Sequence, residues 1–386
     1  MSKDKKRLVP VRRFKEFENA PAWEQRKLTE IVNRVNKSSN SDVLPKVEFE
    51  DIVSGEGRLN KDISSKLDSR KGTLFESENI LYGKLRPYLK NWLFPDFEGV
   101  ALGDFWVFEA TDVSVPSFDY YLIQSDDYQK VANDTSGTKM PRSDWKNVSS
   151  TDFAIPSKDE QKQIGAFFKQ LDDTITLHQR KLDKLKRVKS AYLTEMFPAE
   201  GEREPKRRFP GFTVAWEQRK LGDVVNRFDN LRIPVTASKR IHGEFPYYGA
   251  NGIQDYVDGY THNGEYILVA EDGASNVYDY PVNYVKGKVW VNNHAHVIQG
   301  KTNIADNLFL LNAIKSINIA SFLVGGSRAK LNAEIMMELP IKIPSYNEQK
   351  KIGKYFANID SLITLHQRKL DKLKKMKAAY LEEMFV

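Results

Sequence analysis

The chain contains two copies of one long segment. Residues 155–198 and residues 343–386 are identical at 29 of 44 positions when they are aligned without a gap. Within them, the run ITLHQRKLDKLK is unchanged between residues 175–186 and residues 363–374. Repetition over this length predicts one structural unit that is built twice along the chain.

Shared motifs and composition divide the chain into six segments. The heptapeptide AWEQRKL opens two variable blocks, at residues 22–28 and 215–221, and a stretch rich in proline, glycine and charge separates the two halves. Short apolar runs between turn-forming residues predict strands in both blocks. The predicted segments are a basic N-terminal arm (1–21), a strand-rich domain (22–154), a helix (155–197), a linker (198–214), a second strand-rich domain (215–342) and a second helix (343–386).

Apolar side chains recur at alternating steps of four and three along both predicted helices. This spacing is typical of a coiled-coil seam. Each seam needs an apolar partner, which is either the other copy or the helix's own domain, and the near-identity of the copies favours the first. We therefore expect an α+β fold with two globular strand-rich domains separated by two long helices that form an antiparallel coiled coil, as a pseudo-twofold internal duplication. The predicted seam residues are Ile164, Phe168, Leu171, Ile175, His178, Leu182 and Leu185, then Ile352, Phe356, Ile359, Ile363, His366, Leu370 and Leu373, with Lys189 and Lys377 as further matched polar positions.

Both helical segments start with the pattern S-x-x-E. Ser157 and Glu160 form it in the first copy, and Ser345 and Glu348 form it in the second. In a capping box these two side chains bond backbone N–H groups that have no partner within the helix. The pattern therefore predicts a helix start at each of these positions.

Composition excludes several classes of protein. The chain has no cysteine, which excludes disulfides, thiolate zinc sites and thiol nucleophiles. It has 59 lysine and arginine residues against 52 aspartate and glutamate residues, and the net charge of +7 favours a polyanionic partner. No apolar run approaches the length of a bilayer span, and the N-terminus lacks the apolar core of a signal peptide. We therefore expect a soluble, cytoplasmic protein with no membrane contact.

The sequence carries no complete catalytic or metal-binding signature. The tripeptide GKT (300–302) resembles the end of a P-loop, but Ala295 stands where the first glycine is required. His294 and His296 lie two residues apart, but no third metal ligand has suitable local spacing. We therefore expect no catalytic residues and no metal site, and a recognition or scaffold role.

Motifs spread over nearly the whole chain resemble one known family. They are AWEQRKL at both block starts, IPS-x-x-EQ-x-x-I at both helix starts, LYGKLRPYLKNW (81–92), SGTKMPR (136–142), VAEDGAS (269–275) and NNHAHV (292–297). With these motifs, and with the order block, helix, block, helix, the chain resembles the specificity (S) subunit of type I restriction–modification systems.

The resemblance implies a division of roles among subunits. Each strand-rich block would be a target-recognition domain that reads one half of an asymmetric, bipartite sequence in double-stranded DNA. The helices would set the spacing of the half-sites and dock two methyltransferase (M) subunits, which restriction (R) subunits then join. The chain itself would hold no cofactor, with S-adenosylmethionine on the M subunits and ATP and Mg on the R subunits. The assembled complex would be an adenine-specific DNA methyltransferase and an ATP-dependent type I endonuclease.

Candidate DNA contacts lie in basic, glycine-rich loops and on one polar strand, where side chains can reach phosphates or base edges. The alternative for each basic residue is a solvated surface charge, and for the asparagine and histidines a place in the core with satisfied polar ends. For the whole chain, the alternative function is a protein-binding coiled-coil adaptor without DNA specificity. The candidate DNA-binding residues are Lys84, Arg86, Lys90, Lys139, Arg142, Asn292, His294, His296, Arg328 and Lys330.

Overall fold

The chain folds into two compact units that each combine a strand-rich domain with parts of both long helices. One unit is Met1–His178 with Arg368–Val386, and the other is Gln179–Gln367. This α+β architecture with an internal duplication confirms the predicted fold class. The structure is a computed structural model, and it describes residues 8–66, 69–135, 139–325 and 330–386.

Short strands and helices make up the first unit. Its strands are β1 (Glu24–Lys27), β2 (Val32–Val35), β3 (Ser38–Ser39), β4 (Lys46–Val47), β5 (Ile52–Val53), β6 (Arg58–Leu59), β7 (Gly72–Phe75), β8 (Ile80–Gly83), β9 (Trp92–Leu93), β10 (Gly99–Ala101), β11 (Phe105–Ala110) and β12 (Asp152–Ile155). Its helices are α1 (Leu28–Ile31), α2 (Pro116–Leu122), α3 (Asp126–Ala132), α4 (Trp145–Ser150) and the first part of the long helix α5 (Lys158–Glu195).

Two larger sheets form the framework of the first unit, in the orders β3-β7-β10-β4 and β2-β11-β8-β9. Strands β1 and β12 pair antiparallel, so the AWEQRKL segment meets the residues that lead directly into α5. One buried core joins Trp23, Phe108, Phe118 and Phe153 to Ile164 of α5. The helix is therefore part of the hydrophobic core of this domain as well as a partner for the other helix.

The second unit repeats this plan with longer strands. Its strands are β13 (Glu217–Lys220), β14 (Val225–Arg227), β15 (His242–Gly249), β16 (Gly252–Val257), β17 (His262–Ala270), β18 (Val282–Val291), β19 (Ala295–Gly300) and β20 (Pro340–Ile343). Its helices are α6 (Leu221–Val224), α7 (Asn307–Lys315), α8 (Ala333–Met337) and the first part of α9 (Tyr346–Met384).

A single large sheet, in the order β14-β19-β17-β18-β15-β16, is the framework of the second unit. Strands β13 and β20 pair antiparallel, as β1 and β12 do in the first unit. Trp216 and Phe309 lie in one buried core with Ile352 and Phe356 of α9. Each long helix therefore begins in the core of the domain that precedes it.

The two long helices pack antiparallel, because within each unit the start of one meets the end of the other. In the first unit, Lys377 Nζ of α9 lies 2.7 Å from Asp172 Oδ1 of α5. In the second unit, Lys189 Nζ of α5 lies 2.6 Å from Asp360 Oδ1 of α9. The lysines that interrupt the apolar seam are thus neutralised by a carboxylate from the facing helix.

All predicted seam residues are buried or half-buried. Two leucines of the identical run, Leu177 and Leu365, instead remain 51 % and 46 % exposed. The fully buried seam residues are Ile164, Phe168, Ile175, Leu182, Ile352, Phe356, Ile359 and Leu370, and the half-buried ones are Leu171, His178, Leu185, Ile363, His366 and Leu373.

The glutamates of the predicted capping boxes are bound by arginines. The helices do begin directly after Ser157 and Ser345. The Glu160 carboxylate, however, receives two hydrogen bonds from Arg13, at 2.7 and 2.6 Å. Arg208 binds Glu348 in the same bidentate way, at 2.8 and 2.8 Å. Both carboxylates are almost fully buried, and a guanidinium neutralises such a group far better than a backbone N–H does.

The two arginines belong to a second internal repeat, the tripeptide RRF at residues 12–14 and 207–209. We call these the RRF segments. Each docks at the end of a long helix, where its first backbone N–H donates to a glutamate carbonyl oxygen at 2.8 Å. The guanidinium of that first arginine lies over a tyrosine ring, at 5.2 and 5.1 Å. The corresponding pairs are Arg12 with Glu383 and Tyr380, and Arg207 with Glu195 and Tyr192.

Docking of the first RRF segment gives the described part of the N-terminal arm a fixed place in the first unit. Its phenylalanine, Phe14, packs edge-on against Phe167, and Phe209 packs in the same way against Tyr355. The arm and the linker, which have different positions in the chain, therefore perform the same structural task.

In the four described stretches of the chain, no helix combines the length and the apolar composition needed to cross a bilayer.

Candidate nucleic-acid interface

In the first unit, two sequence motifs that are distant along the chain meet where β8 ends. Lys84 N–H donates to Asp104 O at 2.9 Å, and Ser143 N–H donates to Lys84 O at 2.8 Å. Arg86 N–H donates to Pro141 O at 2.7 Å. We call this place, which comprises residues 84–90, Asp104 and residues 139–143, the first junction. It brings together Lys84, Arg86 and Arg142 of the candidate DNA contacts.

Positive charge exceeds negative charge at the first junction. Arg142 Nη2 lies 3.0 Å from Asp104 Oδ2, and Lys84 Nζ lies 3.7 Å from Asp104 Oδ1. The hydrogen bond to Asp104 raises the pKa of Arg142 above its ordinary value. Arg86 and Lys139 are exposed and form no ion pair with any described residue. The surplus of cations gives this surface the electrostatic character that a phosphate backbone requires.

The loop of the first junction is held in an unusual backbone conformation. Arg86 and Lys90 have φ values of 49° and 55°, in the left-handed region, and a single turn over Pro87–Leu89 lies between them. Ser54 Oγ donates to Leu89 O, and Gly55 N–H donates to Lys90 O at 2.9 Å. These bonds stabilise a conformation that costs a residue with a side chain about 1–2 kcal/mol.

Lys90 lies apart from the other cations of this junction. It lines a cavity of about 220 Å³ beside the long helices. Glu56, Arg58 and Lys374 line the same cavity, and Glu56 pairs with Lys374 at 2.7 Å. A role for Lys90 at the DNA surface therefore stays a prediction.

The second unit forms the same junction where β17 ends. Glu271 N–H donates to His294 O at 2.9 Å, and Leu331 N–H donates to Glu271 O at 2.8 Å. Asp272 and Lys330 form the bridge that Leu85 and Arg142 form in the first unit. Glu271, His294 and Lys330 thus occupy the places of Lys84, Asp104 and Arg142. We call residues 271–280, His294 and Lys330 the second junction.

Side chains at the second junction are largely paired with one another. Lys330 Nζ lies 2.8 Å from Glu271 Oε1, and Arg232 Nη1 lies 2.7 Å from Glu271 Oε2. Burial alone would raise the pKa of Glu271, but these two bonds outweigh burial and lower it. His294 Nδ1 lies 2.5 Å from Asp272 Oδ1 and the ring is about half exposed. Arg328, the remaining candidate in this region, lies outside the described residues.

Asn292 and His296 support the junction from inside the domain. His296 is 1 % exposed and Asn292 is 4 % exposed. The His296 ring bonds Asp229 Oδ2 through Nδ1 at 2.7 Å and Leu331 O through Nε2 at 2.8 Å. Burial would raise the pKa of Asp229, but the bond from His296 and the bond from the Val297 N–H lower it. Both candidates are thus core residues with satisfied polar ends. His296 anchors Leu331 beside the sheet, and Asn292 Oδ1 accepts from the His294 N–H at 2.8 Å.

Sequence reasoning missed Asn251, which braces the second junction from the neighbouring hairpin. Its side chain donates to Gly273 O at 2.9 Å and accepts from Ser275 N–H at 2.8 Å. Ala250 and Asn251 join β15 to β16, which begins at Gly252, and Asn-Gly is the strongest short-range signal for a tight hairpin turn. That signal could have located the turn, but not the loop that the turn holds.

No metal centre accompanies these groups. Within the described parts of the chain, no cluster of three histidine, aspartate or glutamate side chains is arranged to hold a metal ion. The geometry defines the chain as an internally duplicated α+β scaffold, in which one loop junction is built twice and carries different side chains each time.

Comparison with known proteins identifies the family. Residues 21–187 and 213–375 match the family described as "Type I restriction modification DNA specificity domain". These matches cover most of the chain, and the chain therefore belongs to the family of type I restriction–modification specificity subunits.

Individual relatives agree with this assignment. A Haemophilus influenzae protein named as a type I restriction enzyme specificity subunit is 43 % identical over 152 residues, which are 39 % of each chain. The HindI specificity subunit of the same organism is 25 % identical over 189 residues, which are 45 % of this chain and 40 % of the relative. These matches span only about two fifths of each relative's length.

A solved structure shows the same fold over nearly the full length. The crystal structure of the type I restriction–modification S subunit from M. genitalium superimposes with a TM-score of 0.73 at 15 % identity. The superposition covers 98 % of this chain and 99 % of that chain. Strand-rich domains on paired helices are therefore preserved where most side chains differ.

Proposed function

We propose that the chain is the DNA-recognition subunit of a type I restriction–modification complex, and that each strand-rich domain reads one half of an asymmetric, bipartite target. The observation that carries the proposal is the pair of junctions. The backbone hydrogen bonds at the end of β8 are repeated at the end of β17, with matching distances of 2.9 and 2.8 Å. Two domains that recognise different DNA sequences need the same backbone arrangement to approach the duplex and different side chains to contact its bases.

The difference in charge between the junctions supports unlike half-sites. Arg86 and Arg142 present guanidinium groups, which can bond the O6 and N7 atoms of guanine. The second junction instead presents His294 and Asp272, together with a lysine that is already paired. Two domains that differ in this way should not read the two halves of a palindrome.

The long helices are proposed to set the distance between half-sites and to dock two M subunits. Leu177 and Leu365 are exposed at the same position of the identical run, and Lys181 and Lys369 are exposed beside them. Two equal surfaces favour two copies of one partner. In such a complex the M subunits would hold S-adenosylmethionine, the R subunits would hold ATP and Mg, and this chain would supply recognition in the cytoplasm rather than catalysis.

Methylome mapping tests the proposal directly. Cells that carry the complex should show methylated adenine in one asymmetric motif with two specific parts and a fixed gap, and cells that lack this chain should not. Exchange of residues 22–154 for the corresponding block of another family member should then change one half of the motif and leave the other half intact. A palindromic motif, or a change in both halves after the exchange, would contradict the proposal.

A further inference from the structure

Each junction loop exposes one tyrosine to solvent. Tyr88 of the first junction is 57 % exposed, and Tyr278 of the second junction is 90 % exposed. Isolated exposed aromatic residues are common on protein surfaces. These two differ from the common case because they lie in loops that follow equivalent strands of the two domains. The loops, KLRPYLK and EDGASNVYDY, have unlike sequences, yet each exposes a tyrosine.

Both loops are braced while their tyrosines point outward. The turn that carries Tyr88 is fixed by the bonds from Ser54 and Gly55 to the carbonyl oxygens of Leu89 and Lys90. In the second loop, Asn276 Oδ1 accepts from Tyr278 N–H at 2.9 Å. Tyr280, two residues later, is buried, and its hydroxyl donates to Ala270 O at 2.9 Å. Each exposed ring is therefore presented by a loop whose backbone is held on both sides.

Folding gives no reason to expose these rings. Neither tyrosine is part of a buried cluster, and no aromatic partner within the described residues packs against either ring. At the first junction the exposed Arg86 is the near neighbour of Tyr88 in the same turn. A ring beside a cation suits a nucleic acid, because bases offer π faces and phosphates offer charge.

We propose that Tyr88 and Tyr278 are base-stacking residues, and that each ring packs on the face of a base at an opened step within the half-site of its own domain. The inference rests on the proposed function and adds to it a contact that hydrogen-bond readout does not supply. An M subunit must extrude its adenine before methylation, which leaves an unstacked face in the duplex. A ring held on a braced loop could cover such a face without further ordering.

The test uses the chain in complex with its M subunits and a duplex that carries the mapped target. Variants Tyr88→Ala and Tyr278→Ala should each lower the affinity for the target about tenfold, a loss typical for a ring that stacks on a base. Variants Tyr88→Phe and Tyr278→Phe keep the ring and should bind within about twofold of the wild type. The slope of log affinity against log salt should not change, because no cation is removed.

Fluorescence of 2-aminopurine distinguishes the two half-sites. The probe is placed next to the methylated adenine of one half-site at a time. Its fluorescence should exceed that of the wild-type complex with only one of the two alanine variants. With the probe in the other half-site, only the other variant should show the increase. Tyr256→Ala is the matched control, since Tyr256 is 48 % exposed but lies on β16. It should change neither affinity nor fluorescence, and all variants should keep the wild-type melting temperature.

Failure of the proposed function and failure of the stacking role give different results in this experiment. If the wild-type complex does not prefer the mapped target over a scrambled duplex, the proposed function is wrong and the inference falls with it. If the wild type discriminates but both alanine variants match its affinity and its fluorescence, only the stacking role is wrong.

Discussion

Asp119 in α2 is a carboxylic side chain that lies entirely inside the first unit. It is 0 % exposed, and among the described residues its carboxyl group has a single hydrogen-bond partner, the Ser114 hydroxyl, which donates to Oδ2 at 2.7 Å. Burial raises the pKa of Asp119 well above its ordinary value. The two units can be aligned at the glycine of each long helix. Gly165 lies against the backbone N of Phe118, and Gly353 lies against the backbone N of Phe309. Leu310 of the second unit is therefore the equivalent of Asp119. One domain thus buries a carboxyl group where the other buries an alkyl group.

Asp119 should therefore make stability fall as pH rises. In the unfolded chain it ionises near pH 4, whereas the folded chain keeps it neutral, so each pH unit above 4 costs up to about 1.4 kcal/mol until the folded-state pKa is reached. Asp119→Asn removes this cost. We expect the variant to gain stability relative to the wild type as pH rises. Its unfolding free energy minus that of the wild type, measured by urea denaturation, should be larger at pH 7 than at pH 5.

The control for this prediction is Asp159→Asn, at a side chain that is 83 % exposed on the first turn of α5. Its difference from the wild type should not vary between the two pH values. A constant difference for Asp119→Asn as well would show that the folded chain ionises this group.

Residue identity in the junctions was only partly predictable. Lys84, Arg86 and Arg142 could be grouped by charge, and the structure brings them together. Asn292 and His296 could not be separated from His294 by sequence, because residues two apart would share one face of a strand. In the structure β19 begins only at Ala295, so Asn292 and His294 lie before this strand. The burial of His296 depends on Asp229 and Leu331, which are far from it in the chain.

At the scale of elements, two Lys–Asp pairs specify the register of the long helices. Lys377 and Asp172 have side-chain exposures of 11 % and 22 %, and Lys189 and Asp360 have 19 % and 37 %. Shifting one helix along the other would separate both pairs and leave a lysine within an apolar seam. Such a buried charge without a partner costs more than an intact pair contributes.

Removal of the Asp172 carboxylate should therefore destabilise the protein more than removal of the Asp360 carboxylate. Asp172→Ala should cost about 2–3 kcal/mol, because Lys377 is left nearly buried, and Asp360→Ala should cost about 1 kcal/mol at the more exposed site. Urea denaturation measures both. Adding Lys377→Met to Asp172→Ala should recover most of the loss, and equal costs at the two sites would contradict the role of burial.

Helix length should control the gap in the DNA target, if the proposed function holds. One heptad lengthens a helix by about 10 Å at about 1.5 Å per residue, which corresponds to about three base pairs at about 3.4 Å each. Insertion of one heptad into both identical runs keeps the seam in register. We expect the methylation motif of this variant to keep both specific parts and to gain about three base pairs between them.

An insertion in only one helix is the control, because it breaks the register and should abolish methylation. A double insertion that methylates with the original gap would exclude the helices as the determinant of spacing.

Element prediction succeeded where one physical signal dominated. The steps of four and three along α5 and α9 predicted both helices, and the near-identity of the two copies favoured each as the partner of the other. The roles of Glu160 and Glu348 could not be predicted in the same way. A capping box and a buried ion pair need the same glutamate at the same position, and only the place of Arg13 and Arg208 decides between them.

At the scale of the whole molecule, duplication extends further than sequence identity shows. The RRF segments and strands β1 and β13 recur with identical residues, whereas the junctions recur although their residues differ. Backbone hydrogen bonds carry most of this likeness. Because they do not depend on side-chain type, a comparison of the two blocks by sequence could not find it.

The RRF segments should stabilise each unit separately. Arg13→Ala and Arg208→Ala each leave a buried glutamate without its guanidinium, which should cost about 3 kcal/mol or more. Hydrogen exchange measured by mass spectrometry should show the loss of protection in the unit that carries the substitution. Arg13→Lys, which keeps the charge but not the bidentate geometry, should lose less protection, and loss spread equally over both units would contradict separate stabilisation.

The composition of the first unit has a consequence for the order in which a nascent chain matures. Arg12 must contact Glu383, and Trp23 and Phe118 must contact Phe385, so the core of this unit cannot close until residues 383–385 have been synthesised. The second unit needs only residues 179–367 and is complete earlier during translation. The domain that leaves the ribosome first is thus the one that finishes folding last, and until then its unfilled core is a binding site for chaperones.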